Sequence, residues 1–283
     1  MIPFTKMHGI GNDFVMINRF SASLVEAEIS SLALQLCDRR RGIGADGLVT
    51  LDRGETLPWR MRMWNPDGTE SAMCGNALRC LALFLQEEGL DPSDRLAVEI
   101  GGRELGLEVL DDRRVRAEMG TVEMASGATI LERAAGVWRE TSSPPEGKSD
   151  PAADSLAWTT MRVSVGNPHW VLVGADPQDL PLETWGPELE NFGPRSNVHL
   201  VQVLGSDRIK VRTWERGAGL TLACGSGACA CAAATHHLGL TNSKVEVFLP
   251  GGSLLIELAD LSVRMTGPAQ TVFRGHWYKE TAE

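Results

Sequence analysis

The feature that most limits what this chain can fold into is a pattern written once in each half. Residues 61–76 read MRMWNPDGTESAMCGN and residues 211–226 read VRTWERGAGLTLACGS. Arg62, Trp64, Cys74 and Gly75 fall on Arg212, Trp214, Cys224 and Gly225 at one offset (224 − 74 = 150), without a gap. Asn65 of the first copy becomes Glu215 in the second, and a looser echo joins GNDFV at 11–15 to GNPHWV at 166–171. A fold duplicated in this way, with one cysteine per copy, can set two thiols face to face across a pseudo-two-fold axis. Two opposed acid–base groups are what inversion of a stereocentre requires.

A chain of 283 residues has room for two domains, each with its own core. The net charge of −10 argues against a nucleic-acid or acidic-membrane partner and leaves a small-molecule substrate open. The first residues, MIPFTKMHGIGNDFV, lack an unbroken apolar run, and no stretch approaches the length of a membrane-crossing helix. A soluble, cytoplasmic protein is expected. The six cysteines at 37, 74, 80, 224, 229 and 231 lack the C-x2-C knuckles of a structural zinc site, and no metal is expected.

Short alternating stretches dominate: PFTKMHG, FVMINRF, GLVTLD and WRMRMWN before Cys74, and RLAVEI, ELGLEVL and RVRAEMG after it. The second half repeats the plan with MRVSVG, WVLVG, VHLVQVLG and IKVRTWE. A helix is expected over 24–38. Another runs from Gly75 to a glycine stop at Gly89, and an alanine-rich one follows Cys224. The fold class is therefore α+β: two pseudo-symmetric domains, each a mostly antiparallel sheet or barrel wrapped around a long central helix. The active site is placed in the cleft between them. The expected divisions are 1–121 with 270–283, and 122–269, with the Pro- and Ser-rich stretch 141–155 as a mobile loop. GIGADG at 42–47 imitates a dinucleotide fingerprint, but it precedes a strand instead of linking a strand to a helix.

Both Cys74 and Cys224 stand at an expected helix start, followed by Gly-Asn or Gly-Ser. Such a start offers N–H groups and partial positive charge that stabilise a thiolate or hold a carboxylate. An ordinary thiol with pKa about 8.5 is roughly 3% ionised at neutral pH. A dipole worth about 0.3–2 kcal/mol lowers that pKa by roughly 0.2–1.5 units. A moderate shift suits a reversible two-base reaction, in which one sulfur is thiolate while the other is thiol. A lone buried cysteine is ordinarily just a small apolar side chain. That plain reading is kept for Cys37, Cys80, Cys229 and Cys231, which lie in helical apolar patterns. His236 and His237 read as helix-end residues, and His8, His199 and His276 are marked by no pattern.

At these residues the chain resembles the diaminopimelate epimerase family. The motifs are KMHGIGNDFV (6–15), GIGADG (42–47), NPDGTESAMCGN (65–76), GNPHWV (166–171) and ERGAGLTLACGSGACA (215–230). The resemblance implies interconversion of LL- and meso-2,6-diaminopimelate without pyridoxal phosphate or metal, on the route to lysine and peptidoglycan. It implies Cys74 and Cys224 as the acid–base pair and Gly75, Asn76, Gly225 and Ser226 as the helix starts that hold the reacting carboxylate. Asn12, Asn65, Asn167, Asn197, Glu215 and Arg216 match residues that hold the substrate's amino groups and distal carboxylate. His169 and Glu215 match positions that tune the thiols, and a homodimer is implied. Gly47 stands where some members have glutamine, and Ala77 where many have glycine. The rival readings are a two-cysteine racemase for another amino acid, a thiol redox sensor, and a non-catalytic amino-acid-binding protein.

Overall fold

A computed structural model of the chain describes residues 1–22, 24–71, 73–134, 136–141, 156–178 and 180–278. Residues 142–155, the greater part of the stretch read as a mobile loop, lie outside the described residues. The chain divides into two compact units, Met1–Glu118 with Met265–Glu283, and Met119–Arg264.

In the first unit the elements run β1 (Ile2–Gly9), β2 (Asn12–Asn18), α1 (Ile29–Cys37), β3 (Gly47–Arg53), β4 (Trp59–Trp64) and β5 (Glu70–Ser71). They continue with α2 (Gly75–Glu87), β6 (Arg95–Ile100), β7 (Arg103–Val109) and β8 (Val115–Thr121). The second unit follows with β9 (Glu123–Met124), β10 (Thr129–Ala134), β11 (Val137–Thr141), β12 (Leu156–Ser164), β13 (Pro168–Val173) and α3 (Leu182–Glu190). Then come β14 (Asn197–Gly205), β15 (Arg208–Glu215), β16 (Gly219–Thr221), α4 (Gly225–His237), β17 (Lys244–Leu249), β18 (Gly252–Ala259) and β19 (Ser262–Gly267). The closing strand β20 (Gln270–Trp277) pairs with β1 and completes the first sheet.

The repeat in the sequence is a repeat in strand register. In the first unit β2 runs parallel to β3, β3 antiparallel to β4, and β4 parallel to β6. In the second, β13 runs parallel to β14, β14 antiparallel to β15, and β15 parallel to β17. Leu48 faces Trp64 as Val198 faces Trp214, and Met63 faces Ser71 as Thr213 faces Thr221. The other pairings within each unit are antiparallel, most of them between consecutive strands, so each unit is α+β with a mixed, mainly antiparallel sheet.

Each sheet wraps a helix. Every residue from Gly75 to Leu85 in α2 is buried, and α4 is buried from Gly227 through Thr235. A helix apolar on all sides belongs inside a core, and the small side chains of GACACAAAT let strands approach α4 closely. Both helices stop alike. Gly89 and Gly239 take φ of 68° and 71°, and their N–H groups donate to Gln86 O and His236 O at 3.0 and 2.9 Å.

A second helix covers part of each sheet. Ile29, Leu32, Ala33 and Leu36 of α1 pack with Val15, Ile17 and Leu48, and Leu182, Trp185 and Leu189 of α3 pack with Trp170, Val198 and Leu200. The helix expected over 24–38 begins later, because Glu26–Glu28 form a short 3-10 turn before α1. No helix was expected at α3, where Gly186 and Pro187 interrupt the pattern. Gly186 is required by packing: a Cβ there would lie 2.2 Å from the Trp214 ring. The β10–β11 hairpin was likewise not anticipated. No helix among the described residues is long and apolar enough to cross a membrane.

Candidate active site

In the first unit, β4 turns through Asn65–Thr69 into β5, and the chain then reaches Cys74 in extended conformation (φ −149°, ψ 109°) as the N-cap of α2. The Asn65 backbone closes the turn, accepting from Gly68 N at 2.9 Å and donating to Thr69 O at 2.8 Å. Its side-chain amide donates to Thr69 Oγ1 at 3.0 Å. Cys74 is half-buried, and its Sγ lies 3.9 Å from Asn12 Oδ1.

A string of amides supports that oxygen. Arg79, fully buried in the second turn of α2, donates from Nη2 to Asn76 Oδ1 at 2.7 Å. Asn76 Nδ2 donates to Asn12 Oδ1 at 3.0 Å, and Asn12 Nδ2 donates to Asp46 Oδ2 at 2.7 Å. A guanidinium cannot accept and a carboxylate cannot donate, so the two ends fix the direction of every bond. Asp46 comes from GIGADG, which thus serves the site with a carboxylate rather than a phosphate cradle. Arg39 Nη2 reaches Asp46 and Asp13 at 2.7 Å each. Burial pushes the Asp13 carboxyl up, but hydrogen bonds and charge from Arg39 and Lys6 outweigh it and hold it down at about 2.

The second unit builds the same local structure. Cys224, in extended conformation (φ −123°, ψ 107°), is the N-cap of α4 and is 4% exposed. Its Sγ lies 3.8 Å from Ser226 Oγ. Glu215 accepts from Thr221 Oγ1 at 2.7 Å across the β15–β16 turn. Arg216 is exposed, and among the described residues no hydrogen bond or ion pair holds its guanidinium. Its backbone N–H donates to Asn197 Oδ1 at 2.9 Å, while Asn197 Nδ2 donates to Pro168 O at 3.1 Å. Asn197 therefore ties the Arg216 loop to β13.

Asn167 and His169 meet at 2.8 Å, between Oδ1 and Nε2. His169 Nδ1 lies 2.8 Å from His199 Nε2, and His199 Nδ1 lies 2.9 Å from Thr213 Oγ1. Burial, helped by the Arg216 charge, pushes His169 down to about 3. Burial, helped by His169, holds His199 well below its ordinary value. Both rings stay neutral near pH 7, so His169 can act on a neighbour through its dipole and hydrogen bonds but not as a cation.

The structure thus gathers Asn12, Cys74, Gly75 and Asn76 in the first unit, and Asn167, His169, Asn197, Glu215, Arg216, Cys224, Gly225 and Ser226 around matching turns of the second. Sequence reasoning missed Arg79, Asp46, His199 and Thr213. One signal was available: Asn197 and His199 alternate on one face of β14, and Thr213 sits directly opposite His199 on β15. The remaining cysteines are buried; burial pushes Cys37 and Cys80 up to about 12 and Cys231 well above its ordinary value. Thiols so placed are inert. Among the described residues, no group of three or more His, Cys, Asp or Glu is placed to hold a metal ion.

With this geometry established, comparison with known proteins places the chain. A family model for diaminopimelate epimerase matches residues 4–125 and 161–272. A diaminopimelate epimerase of Desulforudis audaxviator is 45% identical over 98% of this chain and 100% of its own length. One from Moorella thermoacetica is 43% identical over 96% and 98%. Among solved structures, a phenazine biosynthesis protein of the PhzF family from Bacillus anthracis shares the fold with a TM-score of 0.67 at 14% identity, covering 97% of this chain and 98% of that one. A hydroxyproline epimerase from Agrobacterium vitis does so with a TM-score of 0.61 at 12% identity, covering 97% and 91%. Likeness at that identity speaks for the fold alone. The relatives matched along their whole length carry the assignment: this chain belongs to the diaminopimelate epimerase family.

Proposed function

We propose that the protein interconverts LL- and meso-2,6-diaminopimelate by proton transfer at one α-carbon, with Cys74 and Cys224 as the two acid–base groups. The observation that carries this reading is the equivalence of the two cysteines. Each caps a 13-residue helix that opens on glycine, in the same extended conformation and after the same hairpin. One sulfur, as thiolate, removes the α-proton; the other, as thiol, delivers a proton to the opposite face, and the reverse reaction exchanges the roles. Charge on the carbanion spreads into the adjacent carboxylate. First-turn N–H groups at a glycine-led helix start are suited to stabilise it there. No pyridoxal phosphate or metal is invoked. Arg216 offers a fork for the distal carboxylate and Glu215 an acceptor for an ammonium, which a racemase for a substrate polar at one end does not need.

The proposal places the protein in the cytoplasm as a homodimer that supplies meso-diaminopimelate for lysine and peptidoglycan. A racemase of another amino acid is the second reading, favoured by the fold shared with a hydroxyproline epimerase. Incubation in D2O separates the two. The protein is expected to place deuterium at an α-carbon of LL-diaminopimelate while forming the meso isomer. Exchange on proline or hydroxyproline with none on diaminopimelate would overturn the substrate assignment.

A further inference from the structure

The buried chain of Thr213, His199, His169 and Asn167 has one physically consistent direction, and that direction bears on the site. Thr213 is 1% exposed, and among the described residues His199 Nδ1, at 2.9 Å, is the sole partner of its hydroxyl. A buried O–H that donates to nothing is costly, whereas an unused oxygen lone pair is tolerated. The hydroxyl therefore donates, and His199 Nδ1 accepts. A neutral imidazole with an accepting Nδ1 carries its proton on Nε2. His199 Nε2–H then donates to His169 Nδ1 across 2.8 Å, and His169 Nε2–H donates to Asn167 Oδ1 across 2.8 Å. The amide at the end is held by its oxygen. Its Nδ2 has no protein acceptor among the described residues.

The packing around His199 is built for this. A Cβ at Gly227, in the first turn of α4, would lie 2.2 Å from His199 Cε1 and 2.9 Å from both ring nitrogens. The ring is pressed against the helix start that Cys224 caps, with Thr213 directly across the ladder from it. It is fully buried and cannot turn to exchange its nitrogens. In the first copy, at the same offset, the corresponding helix position is Ala77 and the ladder pair is Val49 with Met63. The relay belongs to one copy alone.

We infer that Thr213 and His199 are positioning residues: they fix the tautomer of His169 and so lock the Asn167 amide with its NH2 group turned toward the ligand, as a donor to a carboxylate rather than an acceptor for an ammonium. This rests on the diaminopimelate reading for the identity of the ligand, but the direction of the relay does not.

The test has two arms. Protein labelled with 15N-histidine, studied by two-bond 1H–15N correlation near neutral pH, reports the tautomer of each ring, with His199→Gln used for assignment. Both buried rings are expected as the neutral Nε2–H form. An Nδ1–H form or a cation at either ring would overturn the relay. In the second arm, Thr213→Val removes the donating hydroxyl at nearly constant shape and Thr213→Ser restores it. Thr213→Val is expected to raise KM for diaminopimelate about tenfold with a smaller change in kcat, and Thr213→Ser to return it toward wild type. An unchanged KM in a folded Thr213→Val protein would overturn the positioning role. If Thr213→Val does not fold, the tautomer of the unaltered protein still decides the direction. If the wild type exchanges no diaminopimelate proton, the substrate reading fails while the tautomer arm still stands.

Discussion

Replacing Gly227 by alanine sets two effects of opposite sign against each other. Gly227 lies inside α4, where alanine in place of glycine gains about 1 kcal/mol of helix propensity. On that ground alone the variant would be stabilised. The added methyl, however, would stand 2.2 Å from His199 Cε1, and real contacts of that kind do not occur. His199 is fully buried and held at both ring nitrogens, at 2.8 and 2.9 Å, so it has nowhere to retreat. Overpacking of this sort costs about 1–3 kcal/mol. Breaking either ring hydrogen bond leaves a buried polar atom unsatisfied, for roughly 1–3 kcal/mol more. The net expectation is a loss of about 1–5 kcal/mol, read as a lower urea midpoint at unchanged slope. Ala77→Gly, the mirror change at the matching position of α2, is the control; it loses about 1 kcal/mol of propensity and disturbs no relay. A Gly227→Ala protein as stable as wild type would refute the argument that His199 is pinned beneath the helix.

Three further outcomes follow from the same geometry. His169 and His199 are held neutral by burial, their folded pKa values lying below the unfolded value of about 6.5. As pH falls below about 6.5 the unfolded chain takes up protons that the folded one refuses. Each ring should then remove up to about 1.4 kcal/mol of stability per pH unit, checked by denaturation at stepped pH. For Asp13, held near 2, stability is complete above its unfolded pKa of about 3.9 and is lost as pH falls from there toward 2. Asp13→Asn should flatten that acid limb; an unaltered limb would contradict the assignment. Arg79→Met removes the fully buried donor of the amide string and should cost roughly 1.5–3 kcal/mol, with Arg79→Lys intermediate because an ammonium lacks the planar fork. Equal stability of the two variants would sink that reasoning.

Much of the fold was legible because the repeat carries its own register. Arg62, Trp64 and Cys74 recur as Arg212, Trp214 and Cys224, and strand pairing, turn and helix start recur with them. The glycine stop at 89 was readable for a local reason, since glycine readily takes the left-handed conformation that ends a helix in that way, and Gly239 ends α4 alike. What escaped was tertiary in origin. α3 hides behind Gly186 and Pro187, whose local signal is that of a turn, and the helix is upheld by Trp214 and the core beneath it. His199 and Thr213 lie 14 residues apart and meet only because β14 and β15 pair in that register. Arg79 carries no local mark of its role, because nothing in the sequence shows that α2 is enclosed from Gly75 to Leu85 and that its one cation is built into the amide string.

The central claim is that both thiols handle the proton. Its most direct measurement is α-deuterium incorporation from D2O into LL- and meso-diaminopimelate by the wild type, Cys74→Ala and Cys224→Ala, each checked for an unchanged fold by circular dichroism. The wild type is expected to exchange and epimerise both isomers, and each single variant to lose epimerisation altogether. Full epimerisation by either variant would contradict the account.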